Sequence, residues 1–254
     1  MEDTKKILHA STLAGVALLK SGAEIFRVQE TMSRIIEHYG AKNYNVYVIA
    51  NGIFANIDEN KESHRTAIRD VPLRGIHLGL IDRVNSISRE ICQDAYNIDE
   101  AIKRLEKCQT PPPSKHLVLA AASGIGAAAF GILFGAGVIE AIITFLLGMV
   151  LQFFIDWTQN ISKFLMYIAG AFIVTSGAAV MEAVKPSIDF DVIVIGAIMP
   201  MFPGVRFTTS IRELFNGDHV SGSIHLMDAI MTSVCIATGV GTAIGISNAL
   251  GGML

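Results

Sequence analysis

The stretch HLVLAAASGIGAAAFGILFGAGV, His116 to Val138, carries no formally charged residue over 23 positions. At about 1.5 Å of rise per residue, a helix of that length crosses the roughly 30 Å hydrocarbon core of a bilayer. The residues that follow repeat the pattern. Ile139 to Ile155 forms a second apolar run, opened by Glu140 and closed by Asp156 and Trp157, with the tryptophan at an interface position. Phe164 to Val184 is a third. A fourth, Val192 to Met199, runs into Pro200-Met201-Phe202-Pro203-Gly204, so it is short and broken unless it starts at Ile188. Ile224 to Leu250 is a long, glycine-rich fifth.

Charge divides the chain at the start of the first run. Residues 1–115 hold 16 Lys and Arg and 15 Asp and Glu, an ordinary soluble density; residues 116–254 hold 4 and 8, too few to coat a surface facing water. The mean hydropathy of +0.47 averages two unlike regions. Upstream of the boundary, Gln109-Thr110-Pro111-Pro112-Pro113-Ser114 cannot continue a helix and favours extended polyproline geometry. The expected organisation is a soluble α+β domain over 1–109, a Pro-rich linker over 110–115, and an all-α membrane domain of five transmembrane helices over 116–254.

Within the first 109 residues, Leu8, Leu13, Val16, Leu19, Ile25 and Val28 recur at helical spacing, and Met32, Ile35, Ile36 and Tyr39 continue it to Gly40. One long or two abutting helices are expected over about 3–39. Tyr44 to Ile49 and Ile53 to Ile57 read as strands around Asn51-Gly52, with a further strand near Thr66 to Val71. Leu78 to Ile91 and Ile98 to Leu105 each mark one apolar helix face, the second starting near Asn97 or Asp99.

Several function classes fall away. The net charge of −3 and the lack of any Lys/Arg run offer no field for nucleic acid. Cys92, Cys108 and Cys235 have neither disulfide-framework nor zinc spacing, and a reducing compartment is expected for the soluble part. No HExxH or GxSxG occurs, so no catalytic residue, metal site or cofactor is expected and an enzyme is disfavoured. Gly124-x-Gly126-x-x-Ala129 mimics a dinucleotide fingerprint, but it lies in an apolar span after no strand. Small-residue packing, with Gly131-x-x-x-Gly135 and Gly241-x-x-x-Gly245, is the better reading.

The break at Pro200 to Gly204 carries more chemistry. Two prolines without backbone donors and a permissive glycine open the helix, which restarts as the Phe207, Ile211, Leu214, Phe215 stripe. A helix N-terminus at membrane depth suits a carboxylate, and Arg206 adds charge. Pro203, Gly204, Arg206, Thr208 and Thr209 are the expected substrate-binding residues, against the alternative of an ordinary cytoplasmic turn with Arg206 facing phospholipid. Among Glu140, Asp156, Glu182, Asp189, Asp191 and Asp228, most sit at span ends within reach of water. Asp228 lies about a turn inside the fifth span, three residues after His225, and the pair is expected to handle protons, the alternatives being to hold a cationic group or to make a helix-end hydrogen bond. Glu24, Arg27 and Glu30 read as a salt-bridge cluster on one helix.

Ser21-Gly22-Ala23-Glu24 followed by Arg27, Glu30 and Thr31, and Pro203-Gly204 followed by Thr208 to Leu214, Gly222 and Asp228-Ala229, together resemble the two signatures of the threonine/serine exporter (ThrE) family, in particular its single-half, YjjP-like members. The resemblance covers nearly the whole chain. It implies export of small carboxylate metabolites, threonine and serine or dicarboxylates such as succinate, coupled to the proton motive force. It also implies a multi-pass protein of the inner cell membrane that acts as one half with a second small membrane subunit, YjjB-like, in an oligomer. Lys115, Lys163, Arg206 and Arg212 flank the spans on one side against Lys185 on the other, which with a charged N-terminus lacking a signal-peptide pattern predicts a cytoplasmic N-terminal domain and a C-terminus outside. The competing reading is a membrane-tethered sensor or scaffold whose soluble domain carries the activity.

Overall fold

The computed structural model describes residues 2–60, 63–72, 75–109, 115–158 and 161–251. The linker expected at 110–115 falls, except for Lys115, outside the described residues. The chain divides into two compact units, residues 1–112 with 212–224 and residues 113–211 with 225–254. It is mostly helical, with a small sheet between residues 44 and 70.

The first unit opens with α1 (Glu2–Lys20) and α2 (Ile25–His38), two helices rather than one. Gly22 separates them at φ +74°, a left-handed conformation that a side chain disfavours. Ser21 supports the break by donating its hydroxyl to the Ala17 carbonyl at 2.6 Å. Ile25, Val28, Met32, Ile35 and Ile36 form the buried face of α2. Gly15 lets α1 approach that face, since a Cβ there would run into Met32 and lie 3.1 Å from Ile53.

Strands β1 (Tyr44–Ile49), β2 (Gly52–Asn60) and β3 (Ser63–Asp70) form an antiparallel meander in the order β1-β2-β3. Alternation sends Val48, Ile53, Ala55, Ile57 and Ala67 into the core and leaves the row Tyr47, Phe54 and Ile68 exposed. Helices α3 (Leu78–Cys92) and α4 (Ile98–Cys108) complete the core with Leu80, Val84, Ile91, Ala101 and Leu105. Each has a side-chain cap. His77 Nδ1 accepts from the Leu80 amide at 3.1 Å, and Asn97 Oδ1 accepts from the Glu100 amide at 2.9 Å. Residues 212–224 also belong here: Arg212 pairs with Glu24, and Ile224 packs against the core.

The second unit contains α5 (His116–Leu133), α6 (Val138–Trp157), α7 (Lys163–Val184), α8 (Phe190–Ile198), a 3-10 turn over Met199–Met201, and the greater parts of α9 (Gly204–Phe215) and α10 (His219–Gly251). Among the described residues four helices, α5, α6, α7 and α10, are long and apolar enough to cross a membrane. A fifth crossing is added if α8 and α9, bent by 60° at Phe202-Pro203, count as one broken span.

Small residues draw these helices together. A Cβ on Gly124 would lie 2.7 Å from the Phe145 carbonyl oxygen, and one on Gly148 2.7 Å from the Ala127 methyl, so α5 and α6 cross backbone to backbone. Ser123 adds a hydrogen bond to the Gly148 carbonyl at 3.0 Å. Gly196 of α8 approaches Gly131 of α5 just as closely. The glycine spacings of the sequence divide differently than expected. Gly131 packs, whereas Gly135 lies beyond the end of α5 at φ +104° and serves the turn; Gly241 and Gly245 face open space.

Candidate functional site

Pro200 sits in the 3-10 turn that ends α8, and α9 restarts at Gly204 after Phe202-Pro203. The Gly204 amide is already taken by the Phe202 carbonyl at 2.9 Å, and that of Phe207 by the Pro203 carbonyl at 3.0 Å. Arg206, in the first turn of α9, adds a full positive charge at the break. Its guanidinium meets a carboxylate of the same chain: Arg206 Nη1 donates to Asp228 Oδ2.

Lys163, the first residue of α7, completes the cluster. Its Nζ donates to Asp228 Oδ1 at 2.6 Å and to Oδ2 at 2.8 Å. Three helices, α7, α9 and α10, thus each contribute one charged group. The side chains of Asp228, Arg206 and Lys163 retain 15%, 21% and 34% of their exposure, so the pairs are shielded while water still reaches the lysine. The Lys163 ammonium also stands 5.8 Å from the Phe164 ring centre and 5.7 Å from that of Tyr167, which adds cation–π attraction on its apolar side.

Of the residues expected from sequence, Arg206 and Asp228 are brought into direct contact. Pro203 and Gly204 form the break beside them. Thr208 turns its hydroxyl back to the Gly204 and Val205 carbonyls, at 3.2 and 3.0 Å, and is exposed. Thr209 and His225 are half-buried, His225 one turn before Asp228 on α10. Lys163 is the residue that sequence reasoning missed, because it read only as a topology signal. Its scarcity was the available clue: with 4 cations in residues 116–254, an acid inside the fifth span has few partners to choose from.

Two of the other acids have local roles. Asp156 holds His116 at 2.8 Å and Gln152 at 2.9 Å, joining the start of α5 to the end of α6. Asp189 caps α8 by accepting from the Val192 amide at 3.2 Å. Among the described residues no group of three or more His, Cys, Asp or Glu side chains is placed to hold a metal ion.

The model of one protein family, described as "Putative threonine/serine exporter" (ThrE), matches residues 9–247. No curated protein and no solved structure matches the chain significantly. With nearly the whole length matched, and with four to five membrane-capable helices around a shielded charge cluster, the chain is a multi-pass membrane protein that belongs to the threonine/serine exporter family, a family of transporters rather than enzymes.

Proposed function

We propose that the chain exports small zwitterionic amino acids, threonine and serine first, and that Lys163, Arg206 and Asp228 form its substrate site. The observation that carries this reading is the Asp228 carboxylate held between Lys163 and Arg206. An amino acid brings a carboxylate to the two cations and an ammonium to Asp228, so each end of the zwitterion meets an opposite charge. Protonating Asp228 removes the partner of the ammonium, which makes proton and substrate exclusive at one group. Exclusive binding is what exchange requires, and an inward proton gradient then drives the substrate out. A dicarboxylate such as succinate has no ammonium for Asp228 and binds best when that group is protonated. It would favour movement with the proton, opposite to export, which places it second as a substrate.

The first unit is proposed to lie in the cytoplasm of an inner-membrane protein with the C-terminus outside, in keeping with the Lys/Arg asymmetry. The open face of α10 at Gly241 and Gly245 is proposed to receive a second, YjjB-like membrane half.

The test is efflux from proteoliposomes loaded with labelled threonine or with succinate, with and without a pH gradient. Threonine efflux accelerated by external acid is expected. In Asp228→Asn that acceleration should disappear, and in Arg206→Gln efflux should fall about tenfold, the equivalent of ~1.4 kcal/mol. Gradient-driven efflux unchanged in both variants at equal protein levels overturns the site, and transport of succinate without threonine overturns the substrate.

A further inference from the structure

A groove of about 840 Å³ lies between α3 and α4 in the first unit. Its size is that of a small-molecule site, and its floor is formed by the buried Ile87 and Cys108. Four cations line it: Arg83 from α3 and Lys103, Arg104 and Lys107 from α4. Three acids line it as well, and each is already engaged. Glu90 accepts from the Tyr96 hydroxyl at 2.5 Å, Asp99 pairs with Lys6 of α1 at 2.8 Å, and Glu100 pairs with Arg104 at 3.2 Å. Arg104 is further fixed over the Tyr96 ring at 4.1 Å. Glu106, the remaining acid of α4, is directed to His9 at 3.9 Å.

The result is a sorting of charge around α4. Its acids are drawn to α1 or to Arg104, while Lys103 and Lys107, one turn apart, have no carboxylate partner among the described residues. Arg83 reaches the Cys108 thiol, whose burial raises its pKa and keeps it neutral, so that contact cancels no charge. Three cations from two helices, offset in the lining only by Glu90, whose Tyr96 partner carries no charge, therefore converge on one concave site and leave a net excess of positive charge. Ser86 adds a hydroxyl at the α3 wall, where its oxygen accepts from Arg89 at 2.9 Å and its proton is left to donate.

We propose that this groove binds a ligand carrying two or more phosphate groups. A monoanion leaves most of the charge uncompensated. Linked phosphates match three cations, and the planar Arg83 fork and two ammonium groups suit non-bridging phosphate oxygens. The apolar floor then takes an organic portion. Two sources supply this chemistry, a soluble polyphosphate metabolite and the head group of a diphosphate lipid.

The experiment uses the full chain in phosphatidylcholine nanodiscs, titrated calorimetrically with inorganic triphosphate, and compares melting with nanodiscs that also contain cardiolipin. Saturable binding of triphosphate, or stabilisation by cardiolipin, is expected, and which of the two occurs identifies the source. The double variant Lys103→Gln/Lys107→Gln should weaken the effect at least about tenfold, whereas Lys20→Gln/Lys42→Gln, an equal charge change elsewhere, should leave it within about twofold. Equal losses in the two variants would show general charge attraction and overturn the proposal. Absence of any response to both probes would overturn it too.

Discussion

Leu18, Met32, Ile35, Ile36, Ile53, Ile57, Ile91 and Leu105 are among the largest fully buried side chains of the first unit. In the second unit Leu117, Ile125, Leu133, Val138, Ile142 and Val180 point outward, while Ala120, Ala127, Ala171, Ala178 and Ala197 occupy the interior with only a few large residues such as Leu151 and Ile193. The two regions place large and small apolar residues in opposite positions. In water, apolar area is the driving force, and burying it stabilises the first unit. Lipid removes that difference, so helices associate by close approach, and small residues become the valuable ones inside.

The same contrast governs charge. The first unit arranges its ions at the surface, where pairs such as Arg34–Glu30 contribute little. The second unit has few ions and concentrates three of them at Lys163, Arg206 and Asp228, where withdrawal from water makes every unpaired charge costly.

The sharpest way to break this comparison is at Gly239 of α10. A Cβ there would run into the Ile168 carbonyl of α7, backbone that cannot move aside as a side chain does. Gly239→Leu should abolish the monodisperse, folded protein after detergent extraction, while Gly241→Leu, two residues on with open space around it, should not. Equal behaviour of the two would show that α10 does not depend on this approach.

A smaller effect is expected from truncating apolar side chains. Ile35→Ala empties a fully buried position in the first unit and should cost about 2–5 kcal/mol in denaturant unfolding followed by a probe in that unit. Ile125→Ala removes a side chain that is 63% exposed in the second unit and should change its melting by far less. Comparable losses would mean that exposure in the second unit is covered by protein rather than lipid.

Next comes the α4 cap. Asn97→Ala leaves the Glu100 amide without its acceptor and should cost about 1 kcal/mol, read as faster amide exchange in the first turn of α4.

The smallest effect is an alkaline one. Tyr44 donates its hydroxyl to Glu37, and this hydrogen bond, helped by burial, raises the phenol above its usual pKa. The folded chain thus holds the proton more tightly than the unfolded one. The associated stability is fully present below the ordinary tyrosine value of about 10 and is lost as pH rises through the raised value. Tyr44→Phe should melt slightly lower at neutral pH and flatten the decline above about pH 10; an unchanged slope would show that the bond contributes nothing.

Much of the fold is legible along the chain because its causes are local. The 2-residue alternation around Asn51-Gly52 belongs to a hairpin, Asn97 caps α4, and the apolar runs from His116 onward are helices of membrane length. The break at Pro200 to Gly204 is local as well, since proline and glycine act on their own backbone. The glycine pairs are less legible. Spacing alone does not tell Gly131, which packs on Gly196, from Gly135, which makes a turn, because the distinction depends on where α5 ends and what lies opposite.

The amino-acid sequence by itself determined which stretches are apolar enough for lipid, that the helix breaks at Pro200 to Gly204, and that Arg206 and Asp228 are unusual charges for their surroundings. Only the tertiary structure decided that these two meet, that Lys163 joins them across 65 positions, and that Asp99 and Glu100 pair with Lys6 and Arg104 rather than with the lysines of the α3–α4 groove. The physical reason is range. Periodicity, capping and ring constraints act within a turn or two of chain, whereas ion pairs form between whichever groups the packing of separate helices brings within reach.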